Sequence, residues 1–375
     1  MRIDNPTKEK LREYNDNLFK YIKNNYSLEC TMYLDLGVKT VRLLCYSKDF
    51  IPHIQKQLTY TLRETADRYD ATIVLWHEPN IQQIYKYIFP ELNPRNNFKR
   101  RIEMIQNKQT FEEVWIFDDK YSVNKSLMST ELWHDIFNSY DSENETYFYG
   151  VKNIDPEVFV QEGHIFVQIL NNILKTENTN LVHGACIGLD NKGILLCARG
   201  QRGKSTLSVL AMMEGFEYVS DDYLTLEKEG NNLYAHPIYS IITLSPRMYN
   251  ELYDKLDGCR FVSNNAKKDK YVINISKFHG QFKKKYPVKL CMFPEIVSDP
   301  EPSVKECNKY EKGRAITHLI HSTILQMNDF HDTNTVKKLI KMLEKYEFYK
   351  INLCNDIFKN VECLRDFMIN KYKGV

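Results

Sequence analysis

The hydrophobic pattern is most regular from Asn180 onward, where short apolar runs alternate with turn formers. Ile194 to Cys197 is an apolar run bounded by polar residues, the signature of a buried strand. Before it, LVHGACIGLDNKG reads as a strand, a turn and the start of a second strand. After it, KSTLSVLAMMEG suits a helix closed by Gly215, and FEYVSDDYLTLEK reads as one strand. Strand, turn, strand, loop, helix and strand form the organisation of an α/β nucleotide-binding core. Upstream, EVFVQEGHIFVQILNNILKTEN places Val158, Ile165, Ile169, Leu170, Ile173 and Leu174 on one face of a helix, and that face is expected to cover a sheet.

The N-terminal part has a mixed α and β pattern. Met32 to Ser47 suits two strands joined near Gly37 and Val38. The stretch after it, DFIPHIQKQLTYTLRETADRYD, carries Ile54, Leu58, Leu62 and Ala66 at the helical spacing of four. ATIVLWHE, RRIEMI, FEEVWIFDD and ETYFYGV read as strands, and QIYKYIF as a short helix closed by Pro90. Turn formers and charge in SYDSENETYFYGVKNIDPE predict a boundary, giving an N-terminal α+β domain over 1–150 and a second domain over 151–375. The fold class is mixed α/β (α+β).

Composition narrows the picture without deciding it. The chain is 43% hydrophobic and 27% charged, as expected of a soluble globular protein. A net charge of +2, from 51 basic and 49 acidic residues, supplies no field for nucleic acid or an anionic membrane. The nine cysteines are scattered and contain no C-x-x-C pair, which favours reduced thiols over a disulfide framework or a zinc site. With no apolar leader and no long apolar run, a cytoplasmic location is expected.

The loop between strand and helix carries the first candidate chemistry. ARGQRGKST resembles a P-loop, in which backbone N–H groups and a helix N-terminus converge on phosphate. Gly200, Gln201, Arg202, Gly203, Lys204, Ser205 and Thr206 are then the nucleotide-binding residues. Lys204 would reach the β and γ oxygens of a nucleotide such as ATP, and Ser205 would ligate Mg²⁺. Ala198 stands where the pattern has its first glycine, which is tolerable if its φ stays negative. The competing reading is an ordinary basic loop before a helix.

Two further elements accompany the loop. Asp221 and Asp222 fall where the next strand leaves the core, and alternation along a strand would point them to opposite faces. One carboxylate would then face the phosphates and metal, and the other the acceptor; a polar strand end is the plainer alternative. If Asp190 to Gly193 form the turn of a hairpin with Leu189 opposite Ile194, His183 lies opposite Gly200, at the mouth of the loop. A histidine that merely packs or caps is the competing account.

His183-Gly184, RGQRGKSTL, Gly215 and Val219-Ser220-Asp221-Asp222 together resemble HPr kinase/phosphorylase and its kinase-only relatives. That family shares a nucleotide core with phosphoenolpyruvate carboxykinases. The likeness covers roughly Leu181 to Leu226, with a vaguer similarity through HPIYSIITLSP, PVKLCMFPEI and the C-terminal YEFYKINLCNDIFKNVECLRDF. The resemblance implies phosphate binding by Lys204, metal binding by Ser205 and Asp222, catalytic roles for Asp221 and Asp222, and a place for His183 at the phosphoryl site. Lys312-Gly313-Arg314 faintly echoes a later arginine motif. Ala198 and Gln201 replace loop glycines, and neither the family's additional metal-binding glutamate nor its glycine-rich signature for a protein substrate is placed in this sequence. The expectation is therefore a Mg²⁺-dependent kinase whose acceptor is a peptide, a protein or a small molecule bearing a hydroxyl. A homo-oligomer is compatible with this. The alternatives are a nucleotide-binding regulatory or assembly protein without phosphotransfer, and a hydrolytic ATPase.

Overall fold

Val41, Leu43 and Cys45 are buried while Thr40, Arg42 and Leu44 are half-buried, and this period of two makes their segment a strand with one face on a core. It belongs to the first of two compact units in a computed structural model that describes residues 8–79, 128–131, 136–141, 144–151, 164–200, 202–265, 270–327 and 333–373. The first unit comprises Met1–Asp35, Thr40–Ile54 and Leu62–Gln161; the second comprises Leu36–Lys39, Gln55–Thr61 and Glu162–Val375. Both mix helices with mixed sheets.

In the first unit, strands β1 (Cys30–Asp35), β2 (Thr40–Cys45), β3 (Leu62–Arg63), β4 (Ala71–His77), β5 (Met128–Glu131), β6 (Ile136–Asp141) and β7 (Thr146–Val151) form one sheet in the order β3-β1-β2-β4-β7-β6-β5. The pairs β2–β4 and β4–β7 are parallel and the others antiparallel. Helix α1 (Lys8–Asn25) packs Tyr14, Leu18 and Ile22 against Val74, Trp76 and Phe148. Helix α2 is shorter than the apolar spacing predicts, ending at Gln57 after starting at Ile51. The next residues, through Thr61, belong to the second unit and give their donors to partners there instead. Tyr60 N–H bonds the Ser240 hydroxyl at 2.9 Å, and the Thr61 hydroxyl bonds the Ile238 carbonyl at 3.1 Å. Leu62 then pairs with Leu34 in the sheet. The helix expected in QIYKYIF and the strands expected in RRIEMI and FEEVWIFDD lie outside the described residues.

The second unit opens with α3 (Val167–Leu174), which starts later than predicted; Ile169, Leu170, Ile173 and Leu174 are its buried face, and Val158 lies outside the described residues. Strands β8 (Thr179–His183), β9 (Ala185–Leu189), β10 (Lys192–Leu196), β11 (Glu217–Ser220), β12 (Tyr223–Glu229) and β13 (Asn232–Pro237) follow, with helix α4 (Lys204–Met213) after β10. Strands β14 (Ile241–Leu244), β15 (Arg260–Asn265) and β16 (Lys270–Asn274) make a separate sheet, with helix α5 (Pro246–Glu251) after β14. The chain ends with β17 (Tyr286–Ile296), β18 (Ser303–Glu306), helices α6 (Lys309–Met327) and α7 (Thr333–Leu343), β19 (Glu347–Leu353) and α8 (Ile357–Lys371). The large sheet runs β11-β9-β10-β17-β13-β12-β8, and β19 adds to β17 with β18 at its edge.

Alternation along β10 divides the core between the two faces of this sheet. Ile194 and Leu196 join the side chains of α4 and α8, including Leu207, Leu210 and Leu364. Leu195 joins those of α6 and α7, including Leu319 and Leu339. Among the described residues, no helix is long and apolar enough to cross a membrane.

Two sequence expectations are corrected here. The β9–β10 turn is Asp190-Asn191 alone, with φ of 49° and 60°, the two-residue turn that left-handed Asp and Asn favour. Leu189 therefore pairs with Lys192, and Ile194 pairs with Ile187. His183 is not opposite Gly200; it ends β8, opposite Tyr223. The second correction is that FEYVSDDYLTLEK is two strands. The Ser220 hydroxyl donates to the Tyr223 carbonyl at 2.7 Å and accepts from Asp222 N–H at 3.4 Å, so side-chain bonds replace the ladder at the aspartates. β8 bends into β9 at Gly184 directly across from this break, where Gly184 N–H bonds the Asp222 carbonyl at 2.8 Å. β12 pairs with β8 and β11 with β9, so the two strand pairs meet at this break.

Candidate active site

The loop after β10 leaves a fully buried stretch. Cys197 N–H continues the ladder to Met292 at 2.8 Å, and Ala198 has no exposed surface and no positive φ. Arg199, Gly200 and Arg202 then emerge, while Gln201 lies outside the described residues. Gly203 caps α4 at φ 84°, and a Cβ there would sit 2.5 Å from the Leu353 side chain. The left-handed φ favours glycine here, and a side chain would also have to displace the tip of Leu353.

Lys204, the first residue of α4, is only 5% exposed. A buried ammonium needs partners, and the strand break supplies them. Its Nζ donates to the Asp221 carbonyl at 2.6 Å and lies 3.7 Å from Asp222 Oδ1. The Asp222 carboxylate is engaged on both oxygens. His183 Nε2 is 2.8 Å from Oδ1; His164 Nε2 is 3.4 Å from Oδ2, and the Thr243 hydroxyl donates to Oδ2 at 3.2 Å. Burial works against the charge of Asp222, but the His183 hydrogen bond and the nearby His164 and Lys204 hold its carboxyl well below the usual range. Burial and the Lys204 charge push His183 the other way for a base, below its ordinary value. The neutral ring therefore donates Nε2–H to an ionised carboxylate.

Asp221 contrasts with its neighbour. It is 1% exposed, and its Oδ2 has no hydrogen-bond partner. Burial and the charge of Asp222 raise its carboxyl to about 7, against the pull of Lys204 and the Ser205 hydroxyl.

His183, Gly200, Gly203, Lys204, Ser205, Thr206 and Asp222 line one cavity of about 410 Å³ with Arg199, His164, Tyr223, Thr243 and Lys270. Asp221 and Arg202 do not line it. Thr243 and Lys270 arrive from the three-stranded sheet, and His164 from the segment before α3. Sequence reasoning missed these three. The only signal for His164 was a histidine immediately ahead of an apolar helix, and Thr243 and Lys270 sit in ordinary strand patterns.

No family model matches the chain, and no curated protein sequence matches it. Among solved structures, the HPr(Ser) kinase/phosphatase from Coxiella burnetii aligns with 51% of this chain and 98% of its own, at 14% identity and a TM-score of 0.29. This is a distant likeness.

Proposed function

We propose that the protein is a Mg²⁺-dependent kinase that moves the γ-phosphoryl group of a nucleoside triphosphate, ATP in the simplest case, to a hydroxyl of a peptide, a protein or a small metabolite. The observation that carries this reading is the buried Lys204 at the start of a helix, 3.7 Å from a carboxylate that His183 holds at 2.8 Å, with all three groups on one cavity. Phosphoryl transfer asks a protein mainly for positioning and for charge neutralisation, and these residues are suited to both.

The loop fits a polyphosphate as a P-loop would. Gly200 is exposed, and a Cβ built on it meets nothing within 4 Å, so there is open space beside the loop. Arg199 and Arg202 are exposed in the loop, and the Arg202 charge also acts on the Glu295 carboxylate. Lys204 would lie between the terminal phosphates, where its charge offsets what develops in transfer. Ser205 and Asp222 would hold Mg²⁺, which completes its shell with phosphate oxygens and water and needs no dedicated cage. When bound, the metal supplies positive charge to the phosphate oxygens.

Because its neighbours keep it ionised, Asp222 is a weak proton acceptor and a strong hydrogen-bond acceptor. It would orient the acceptor hydroxyl and take its proton late, as the new P–O bond forms. Asp221, below the cavity, supports Lys204 through its carbonyl. The test is a screen with γ-labelled nucleotide, Mg²⁺, serine and threonine peptides, and hydroxylated metabolites, with Asp222→Asn beside the wild type. Label on a hydroxyl, reduced by about a hundredfold or more in Asp222→Asn, is expected. Nucleotide binding with no transfer to any acceptor would favour a regulatory or assembly protein instead.

A further inference from the structure

We infer that His164 is a positioning residue, the second half of a histidine clamp that fixes the Asp222 carboxylate for the acceptor. What this says about turnover rests on the phosphotransfer reading; what it says about the carboxylate rests on the fold alone.

The two histidines take opposite oxygens of one carboxylate, His183 on Oδ1 at 2.8 Å and His164 on Oδ2 at 3.4 Å. Lys204 also lies on the Oδ1 side. Without His164, the Oδ2 side keeps the Thr243 hydroxyl alone among the described residues. The terminal torsion of an aspartate is broad and nearly two-fold, so a carboxylate whose Oδ2 is held by one rotatable hydroxyl can swing further than one also held by a ring nitrogen. Gripping both ends fixes the plane it presents to the cavity.

The surroundings of His164 are built to hold that ring in place. It stands edge-on to Tyr223 and Tyr239, with centroids 4.6 Å and 4.7 Å away at 74° and 71°. The residue after it is pinned on both backbone groups. Ile165 N–H donates to Gln57 Oε1 at 3.0 Å, and the Tyr239 hydroxyl donates to the Ile165 carbonyl at 2.7 Å. Phe166 then takes φ 65°, a left-handed conformation that a bulky residue adopts only where its surroundings impose it. A side chain that merely filled space would need the aromatic walls but not the pinned backbone or the nitrogen aimed at Asp222. The charged or titratable groups around the pair are Asp221, His183, Lys204 and Lys270, with the phenols of Tyr223 and Tyr239.

Two substitutions separate positioning from packing. His164→Phe keeps an aromatic ring between the tyrosines and removes the nitrogen; His164→Gln keeps a donor. The first readout is the His183 ring proton shared with Asp222, followed by ¹⁵N-histidine NMR on the full chain without nucleotide. It should be sharp in the wild type and in His164→Gln, and broadened by solvent exchange in His164→Phe. The second readout is turnover, where His164→Phe should lower kcat by roughly tenfold to a hundredfold, with the nucleotide KM within about twofold, and His164→Gln should recover most of the loss. An unchanged ring proton in His164→Phe overturns the clamp, as do kcat and KM falling together in both variants. If His164→Phe does not fold, His164→Asn, whose amide is too short to reach Oδ2, takes its place under the same expectations. The ring-proton comparison needs no acceptor, so it decides the clamp even if no phosphotransfer is found.

Discussion

Replacing Asp221 by Asn tests the electrostatics under the cavity through stability alone. The Asp221 carboxyl is 1% exposed, and burial together with the Asp222 charge raises it from an ordinary 3.8 to about 7. An acid whose folded pKa lies above its unfolded value binds more protons in the folded state between the two. Its contribution to stability is therefore complete below pH 4 and is lost as pH rises through about 7. A shift of this size corresponds to about 4 kcal/mol in total, of which about 3 kcal/mol falls between pH 4.5 and 8.5. Asn has the same shape and cannot ionise, so the variant lacks this loss. Asp222, held well below the usual carboxylate range, stays ionised across that window, and His183 titrates in both proteins. The assay is urea unfolding of each protein at half-unit pH steps. The stability of Asp221→Asn minus that of the wild type should climb by about 3 kcal/mol from pH 4.5 to 8.5, steepest midway between the ordinary carboxyl value and 7 and levelling off above about pH 7. A flat difference curve would refute the reasoning and mean that Asp221 is solvated or neutralised by a partner.

Two more substitutions probe the loop. Lys204→Met removes the cation but keeps the apolar stem, and nucleotide affinity measured by calorimetry should fall by about tenfold to a hundredfold, the range for losing a charge-assisted hydrogen bond, while the far-UV spectrum stays unchanged. Gly203→Ala forces a Cβ into a left-handed position 2.5 Å from Leu353, and it should destabilise the protein by about 1 to 3 kcal/mol in urea, a loss that an additional Leu353→Ala cannot fully restore because the φ strain remains.

The strand before the loop and the helix after it were legible because their signals are local. Ile194 to Leu196 had to be a buried strand, and Gly203-Lys204-Ser205 had to open a helix, whatever the rest of the fold did. The environment of His183 was not legible in the same way. Hairpin arithmetic put it across from Gly200, yet the Asp190-Asn191 turn is two residues tighter and His183 belongs to a different strand pair. It still reaches the cavity, because β8 bends at Gly184 opposite the break at Asp221-Asp222. The break was invisible as a period of two, since it depends on the Ser220 hydroxyl taking over backbone partners. His164 and Thr243 lie outside the loop's own sequence neighbourhood, and only the folded unit brings them to Asp222. In the N-terminal part, the apolar spacing of Leu58 and Leu62 imitated a helix because tertiary hydrogen bonds at Tyr60 and Thr61 end α2 early.

The central claim is that the cavity lined by Lys204 and Asp222 holds the terminal phosphate of a nucleotide on Lys204. The most direct measurement is a crystal structure of the full chain with Mg²⁺ and a non-hydrolysable nucleoside triphosphate analogue. The account predicts the terminal phosphate in hydrogen-bond contact with Lys204 Nζ, the metal on Ser205 Oγ, and an open path from that phosphate to Asp222. A nucleotide bound away from Gly203-Lys204-Ser205, or a terminal phosphate facing away from Asp222 and His183, would contradict it.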